Sequence, residues 1–196
     1  MVVYIDNGHG YNTPGKCSPD KTLREWSWNR EVAKLVVDML RELGIDTRFT
    51  CPEDNDVLLR ERVKRINEAC RLKGSKNVVS VSIHINAAGG DGKWHAARGW
   101  SVFVSPNASS KSKRLAEMLY DCAKAHGLKT RRPSPTENYW TKSLAMCRDT
   151  SCPAVLTENL FMDNEDDAAW LKTEEGKKTI AAIHVEAITQ YIEAYK

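Results

Sequence analysis

Two histidines stand where strand-like runs give way to small and polar residues. His9 lies in Asn7-Gly8-His9-Gly10 after the β-branched run from Val2, and His84 closes Val78–Ile83 just before Asn86-Ala87-Ala88. Each is thereby presented at a sheet edge, and the carboxyl edge of an open α/β sheet is where ligands bind. A turn histidine bonded to a backbone carbonyl would explain His9 alone, and a core histidine satisfied by a neighbouring carbonyl would explain His84 alone. Two imidazoles at one edge fit a shared metal better, since neutral imidazole is the commonest metal ligand. Glu25 lies between them in the chain, and Glu158 follows the buried-strand signal Pro153–Thr157. Two nitrogen donors, one oxygen donor and a free carboxylate make up the parts of a hydrolytic zinc site.

Each acidic residue also has a simpler reading. Thr22-Leu23-Arg24-Glu25 has the form of a capping box, in which the glutamate reaches back to the N-cap amide. Glu158 is expensive at the end of a buried strand unless it is paired or near a cation, and a salt bridge would serve. The run Asp163 to Asp167 reads as helix capping and solvation. His95, in a loop beside Trp94, is open to a ligand contact. His126 reads as a cation at a helix C-terminus, and His184 as a surface or core-edge residue. Trp94, Trp100, Tyr139 and Trp140 are open to stacking on sugar rings or to plain packing.

The elements that must position these residues alternate along the chain. Strands are expected at 2–6, 45–50, 78–83, 100–104, 144–148 and 154–157, and helices at 23–43, 57–72, 109–125 and 176–195. Strands separated by helices give a single α/β domain over 1–196, with a twisted, mostly parallel sheet and helices on both faces. The stretches 86–99 and 129–142 read as long loops, which in compact domains are often functional.

With 41% hydrophobic and 28% charged residues and a net charge of +3, the 196-residue chain has an ordinary globular composition. That charge is too small to argue for nucleic acid. No apolar run approaches the roughly 20 residues needed to span a bilayer. The N-terminus enters a strand at once with no visible signal peptide, so we expect either synthesis in the cytoplasm followed by release, or the mature form of an exported enzyme. The six cysteines contain no Cys-x-x-Cys pair and fit bystander thiols, with Cys147 and Cys152 flanking a turn across which they could pair.

Taken together and in order, VVYIDNGHG, TLREWSWN, VSVSIHINAA and CPAVLTENLFMDNEDD resemble the zinc-dependent N-acetylmuramoyl-L-alanine amidases of type 3, the catalytic domains of bacterial autolysins and phage endolysins. The resemblance covers nearly the whole chain. It implies one Zn2+ per chain on His9, Glu25 and His84, and a catalytic Glu158. It also implies peptidoglycan as substrate, cut at the amide between N-acetylmuramic acid and L-alanine. Separately, a monomer is expected. Where the family usually has Asp-Pro-Gly-His-Gly, this chain has Asn7 in place of the proline, which leaves the ligand itself intact. Asp6 is expected to orient a ligand histidine. The alternatives are a zinc carboxypeptidase or other peptidase acting on stem peptides, and a non-catalytic wall-binding module.

Overall fold

The computed structural model describes residues 1–196. Six strands, β1 (Val2–Asn7), β2 (Asp46–Phe49), β3 (Val78–Asn86), β4 (Ser101–Val104), β5 (Trp140–Thr141) and β6 (Ala154–Phe161), form one sheet in the order β2-β1-β3-β6-β4-β5. The first four neighbours run parallel; β4 is antiparallel to β6, and β5 is parallel to β4. The α/β class and the mostly parallel sheet thus agree with expectation.

The helices are α1 (Glu25–Glu42), α2 (Leu59–Lys73), α3 (Ser110–Ala125), α4 (Ala145–Arg148), α5 (Glu165–Leu171) and α6 (Glu174–Ala194). Strand alternation distributes the apolar surface between the two faces. Val3 and Ile5 of β1 and Val79, Val81 and Ile83 of β3 enter the large core under α1, α3 and α6. Val2, Tyr4 and Val78 face a smaller cluster with Val63, Ile66 and Ala69 of α2. Helices therefore cover both faces, as an almost continuously apolar parallel strand requires.

Three expectations are corrected. Residues 145–148 form a helical turn rather than a strand, and a two-residue strand, β5, lies inside the stretch read as a loop. β6 runs on past 157 to Phe161, so Glu158 sits within it. The pairing of β3 and β6 shifts between His84 and Asn86, and Leu160 takes φ +66°; this irregularity lets the strand continue while re-aiming its side chains. All six cysteines are free thiols, so Cys147 and Cys152 are not paired. No helix is long and apolar enough to cross a membrane.

Candidate metal and catalytic site

β1, β3 and β6 end side by side, and their carboxyl ends carry the candidate residues. His9 lies two residues beyond β1, His84 in the last turn of the pleat of β3, and Glu158 directly opposite His84 in register. Glu25 is the first residue of α1, which returns to the sheet edge after the loop following β1.

The structure brings His9, Glu25 and His84 together, with one donor atom from each lying within 4.8 Å of the others. Glu25 is 1% exposed. Its Oε1 accepts from the backbone N–H of Ile85 at 3.0 Å and lies 3.1 Å from His84 Nδ1, while Oε2 lies 3.3 Å from His9 Nε2. The two rings meet edge to face with centroids 4.9 Å apart. Burial alone would raise the Glu25 pKa, but hydrogen bonds and charge from both histidines outweigh it and hold the carboxyl well below its ordinary range. Burial also opposes a charge on His84, yet Glu25, Glu158 and Asp6 together raise its pKa. A buried carboxylate flanked by two imidazoles is a strongly cation-seeking arrangement, and two nitrogens with one oxygen suit zinc.

Glu158 behaves differently. Its Oε2 is enclosed and has no hydrogen-bond partner. Burial, with the nearby Glu25 charge in the same sense, pushes its pKa up to about 7 despite the opposing influence of His84, Lys16 and Lys142. An unpartnered carboxylate of that proton affinity is suited to taking up and returning a proton near neutral pH.

The capping-box reading of Glu25 is corrected. The N-cap is Arg24, with no side-chain cap, and the Thr22 hydroxyl is occupied by Asp20. Asp6 makes no hydrogen bond to either histidine. It pairs with Arg62 at 3.0 Å and accepts from the Ser82 hydroxyl.

Arg62 went unremarked in the sequence, and it holds the His9 loop. The guanidinium is 2% exposed, and all five of its N–H groups find acceptors. They reach Val57 O (2.8 Å), Asp6 Oδ1 (3.0 Å), Asn7 O (3.2 Å), His9 O (3.2 Å) and Asp56 Oδ1 (3.0 Å). Arg30 also donates to His9 O at 3.1 Å, and the fully buried Asn29 donates to Gly8 O at 3.1 Å. His9 itself takes φ +65°, a region costly for a residue with a Cβ, so the backbone needs these external ties. Gly8 is required by close approach, because a Cβ there would lie 2.1 Å from His84 Cε1.

A second polar chain supports β3 from the other side. Asn159 donates to His84 O at 2.9 Å and accepts from Trp100 Nε1 at 2.7 Å. It also donates to Thr157 Oγ1 at 3.1 Å, which lies 2.9 Å from His184 Nε2. His184 Nδ1 donates to Ile180 O at 2.7 Å, which leaves Nε2 as the acceptor of a neutral ring. His184 is fully buried, which corrects its placement at the surface or core edge, and burial depresses its pKa to about 4. Trp100 is likewise buried and is removed from the set of sugar-stacking aromatics. His95 turns to Asp91, and His126 is the C-cap of α3.

Comparisons with known proteins agree with this fold and place it in a family. The chain is 29% identical over 195 residues to the endolysin of Bacillus phage SPP1, an alignment spanning all of this chain and 67% of that protein. It is 25% identical over 193 residues to the N-acetylmuramoyl-L-alanine amidase CwlM of Bacillus licheniformis, spanning 97% of this chain and 68% of that one. Among solved structures, the catalytic domain of CwlV, an N-acetylmuramoyl-L-alanine amidase of Bacillus (Paenibacillus) polymyxa var. colistinus, superposes with a TM-score of 0.82 at 28% identity over 98% of each chain. The N-acetylmuramoyl-L-alanine amidase of Clostridium difficile 630 shares the fold, with a TM-score of 0.84 at 23% identity over 99% of this chain and 97% of that one. The profile of one family, described as N-acetylmuramoyl-L-alanine amidase, matches residues 3–190, and the chain belongs to that family.

Proposed function

We propose that this chain is a peptidoglycan amidase that hydrolyses the bond between the lactyl group of N-acetylmuramic acid and L-alanine, with one zinc ion on His9, Glu25 and His84 and with Glu158 as general base and acid. The observation that carries the reading is the unpartnered Glu158 carboxylate, in register with His84 and beside the cation-seeking trio.

Zinc, when bound by that trio, supplies a Lewis acid that polarises the scissile carbonyl and makes a water more acidic. The chain's own residues do the remainder. Glu158, with no competing hydrogen bond on Oε2, accepts the proton of the attacking water and returns it to the L-alanine nitrogen as the C–N bond breaks. Glu25 is held ionised by its two imidazole neighbours and fixes both rings. Arg62, Arg30 and Asn29 hold the turn that carries His9, and Asn159 holds the carbonyl of His84. The 196 residues act as one catalytic unit on the cell wall, reached after release or export.

Mass spectrometry of digested peptidoglycan tests the reaction. Amidase action releases intact stem peptides with a new L-alanine N-terminus and leaves bare glycan. Release of a terminal D-alanine from stems still joined to sugar would assign the site to a peptidase instead. Zinc binding and sedimentation with walls, with no release at all, would make it a binding module.

A further inference from the structure

Beside the site lies a cavity of about 330 Å³, within the roughly 300–1,000 Å³ range of ligand pockets. Its walls come from the loops that follow the site-bearing strands. Residues 15–21 lead into α1 and Glu25, residues 87–93 follow His84 and β3, and Met162 and Asp163 follow β6. None of His9, Glu25, His84 and Glu158 lines it, and the loops that do so connect it to the catalytic centre. Lys16 O accepts the backbone N–H of Glu25 at 3.0 Å, and the Lys16 charge is felt by Glu158.

Three exposed lysines, Lys16, Lys21 and Lys93, line it. Like most lysines of the chain, and unlike Lys34, Lys64, Lys73 and Lys177, they are not paired with a carboxylate. The one acid in the lining, Asp163, is itself buried: its Oδ2 accepts the N–H groups of Ala88 and Gly89 at 2.8 and 3.0 Å, and its Oδ1 has no hydrogen-bond partner. Those two bonds fold the 87–93 loop against the end of β6 and bring Lys93 to the same opening as Lys16. Gly15, Gly90 and Gly92 add no side chains to the wall, and a Cβ built at any of them meets nothing within 4 Å, so the space before the lysines is open.

The chemistry of the proposed substrate says what such a cavity takes. On the glycan side of the scissile amide the polymer is neutral, made of hydroxyl and acetamido groups. On the peptide side, the residue after L-alanine is linked through its side-chain carboxyl and leaves a free carboxylate on its α-carbon, and further carboxylates follow. Unpaired cations beside the reaction centre match only the peptide half. We propose that Lys16, Lys93 and Lys21 form the subsite for the leaving peptide, binding its carboxylates and so fixing which way the substrate lies across the site. The inference rests on the amidase reading and adds the orientation and charge preference of the substrate to it.

The test uses two disaccharide tetrapeptides. One has all carboxylates free, and in the other the α-carboxylate of the second residue is a carboxamide. Wild type should show a KM about tenfold lower for the acid, the size expected for two exposed charge pairs worth about two- to fivefold each. The Lys16→Gln/Lys93→Gln double variant should bring the ratio of the two KM values close to one, with zinc content as a check that the centre is intact. Equal KM values in wild type, or an undiminished ratio in the double variant, would overturn the subsite. A double variant that keeps the ratio but sediments less with walls bearing phosphate polymers would assign the lysines to those polymers and overturn it equally. Failure of wild type to cleave either compound would count instead against the amidase reading.

Discussion

Replacing Arg62 probes how the fold holds its first metal ligand. In Arg62→Met, five hydrogen bonds vanish and Asp6, 1% exposed, keeps only the Ser82 hydroxyl and a distant thiol contact from Cys51. Removing one partner of a buried ion pair costs about 3–5 kcal/mol, because the other charge stays buried. That is a large share of the roughly 5–15 kcal/mol by which a domain is stable, so the metal-free methionine variant should sit near the edge of unfolding. Arg62→Lys is the more informative change. An ammonium has three donors and no planar fork, so it can keep Asp6 but not also Asn7 O, His9 O, Val57 O and Asp56. His9 O would then depend on Arg30 alone. The lysine variant should lose about 1–3 kcal/mol in urea unfolding of the metal-free protein. It should also bind zinc about 10- to 100-fold more weakly in competition with a chelator, the usual consequence of removing an outer support from a ligand. A lysine variant with wild-type zinc affinity would refute the argument that Arg62 positions His9, even if its stability fell.

Other expectations follow from single features. Gly8→Ala places a Cβ 2.1 Å from His84 Cε1 and 2.4 Å from Nε2, so zinc should be lost from a variant whose circular dichroism stays native; full zinc occupancy would show that the ring has room to move. His184 is held neutral with a pKa of about 4 against an ordinary 6.5. The unfolded chain takes up that proton first on acidification. Stability is therefore greatest above 6.5 and is lost as the pH falls towards 4, by about 3 kcal/mol. His184→Asn should flatten that loss in urea titrations at several pH values, and an unaltered slope would contradict it. For the reaction itself, Glu158 is active when ionised, and its pKa is about 7 in the absence of a cation. A bound cation lowers it, so kcat/KM should rise with pH along a limb centred below 7; activity that falls as the pH rises towards 7 would rule out a general base there.

Much of this architecture is legible in the residues. Alternating β-branched runs and amphipathic helices specify the α/β sheet, because period and length separate the two element types. The end of β1 is visible where its apolar run meets Gly8-His9-Gly10, whereas β3 runs three residues past the expected Ile83 to Asn86 and takes His84 into the strand. The continuation of β6 through Glu158 to Phe161 is not visible, since an irregular register and a positive φ at Leu160 carry no local signature. Glu25 shows how a local rule loses to tertiary context. The Thr22–Glu25 spacing fits a capping box, but two imidazoles offer that carboxylate more than one backbone amide does. Arg62 left a trace in the sequence: it lies on the buried stripe of α2 with Val63, Ile66, Ala69 and Cys70, where a charge needs a partner. Nothing local indicated that this partner would be Asp6, 56 positions earlier in the chain. The same holds for His184, whose neighbours in α6 give no hint of Thr157.

The central claim is that three residues hold a metal and a fourth moves the proton. Elemental analysis of wild type, His84→Ala and Glu158→Gln after zinc reconstitution, with peptidoglycan release measured on the same samples, tests it most directly. The account predicts one zinc in wild type and in Glu158→Gln, little in His84→Ala, and release by wild type alone. Wild type without zinc after reconstitution, or a Glu158→Gln variant as active as wild type, would contradict it.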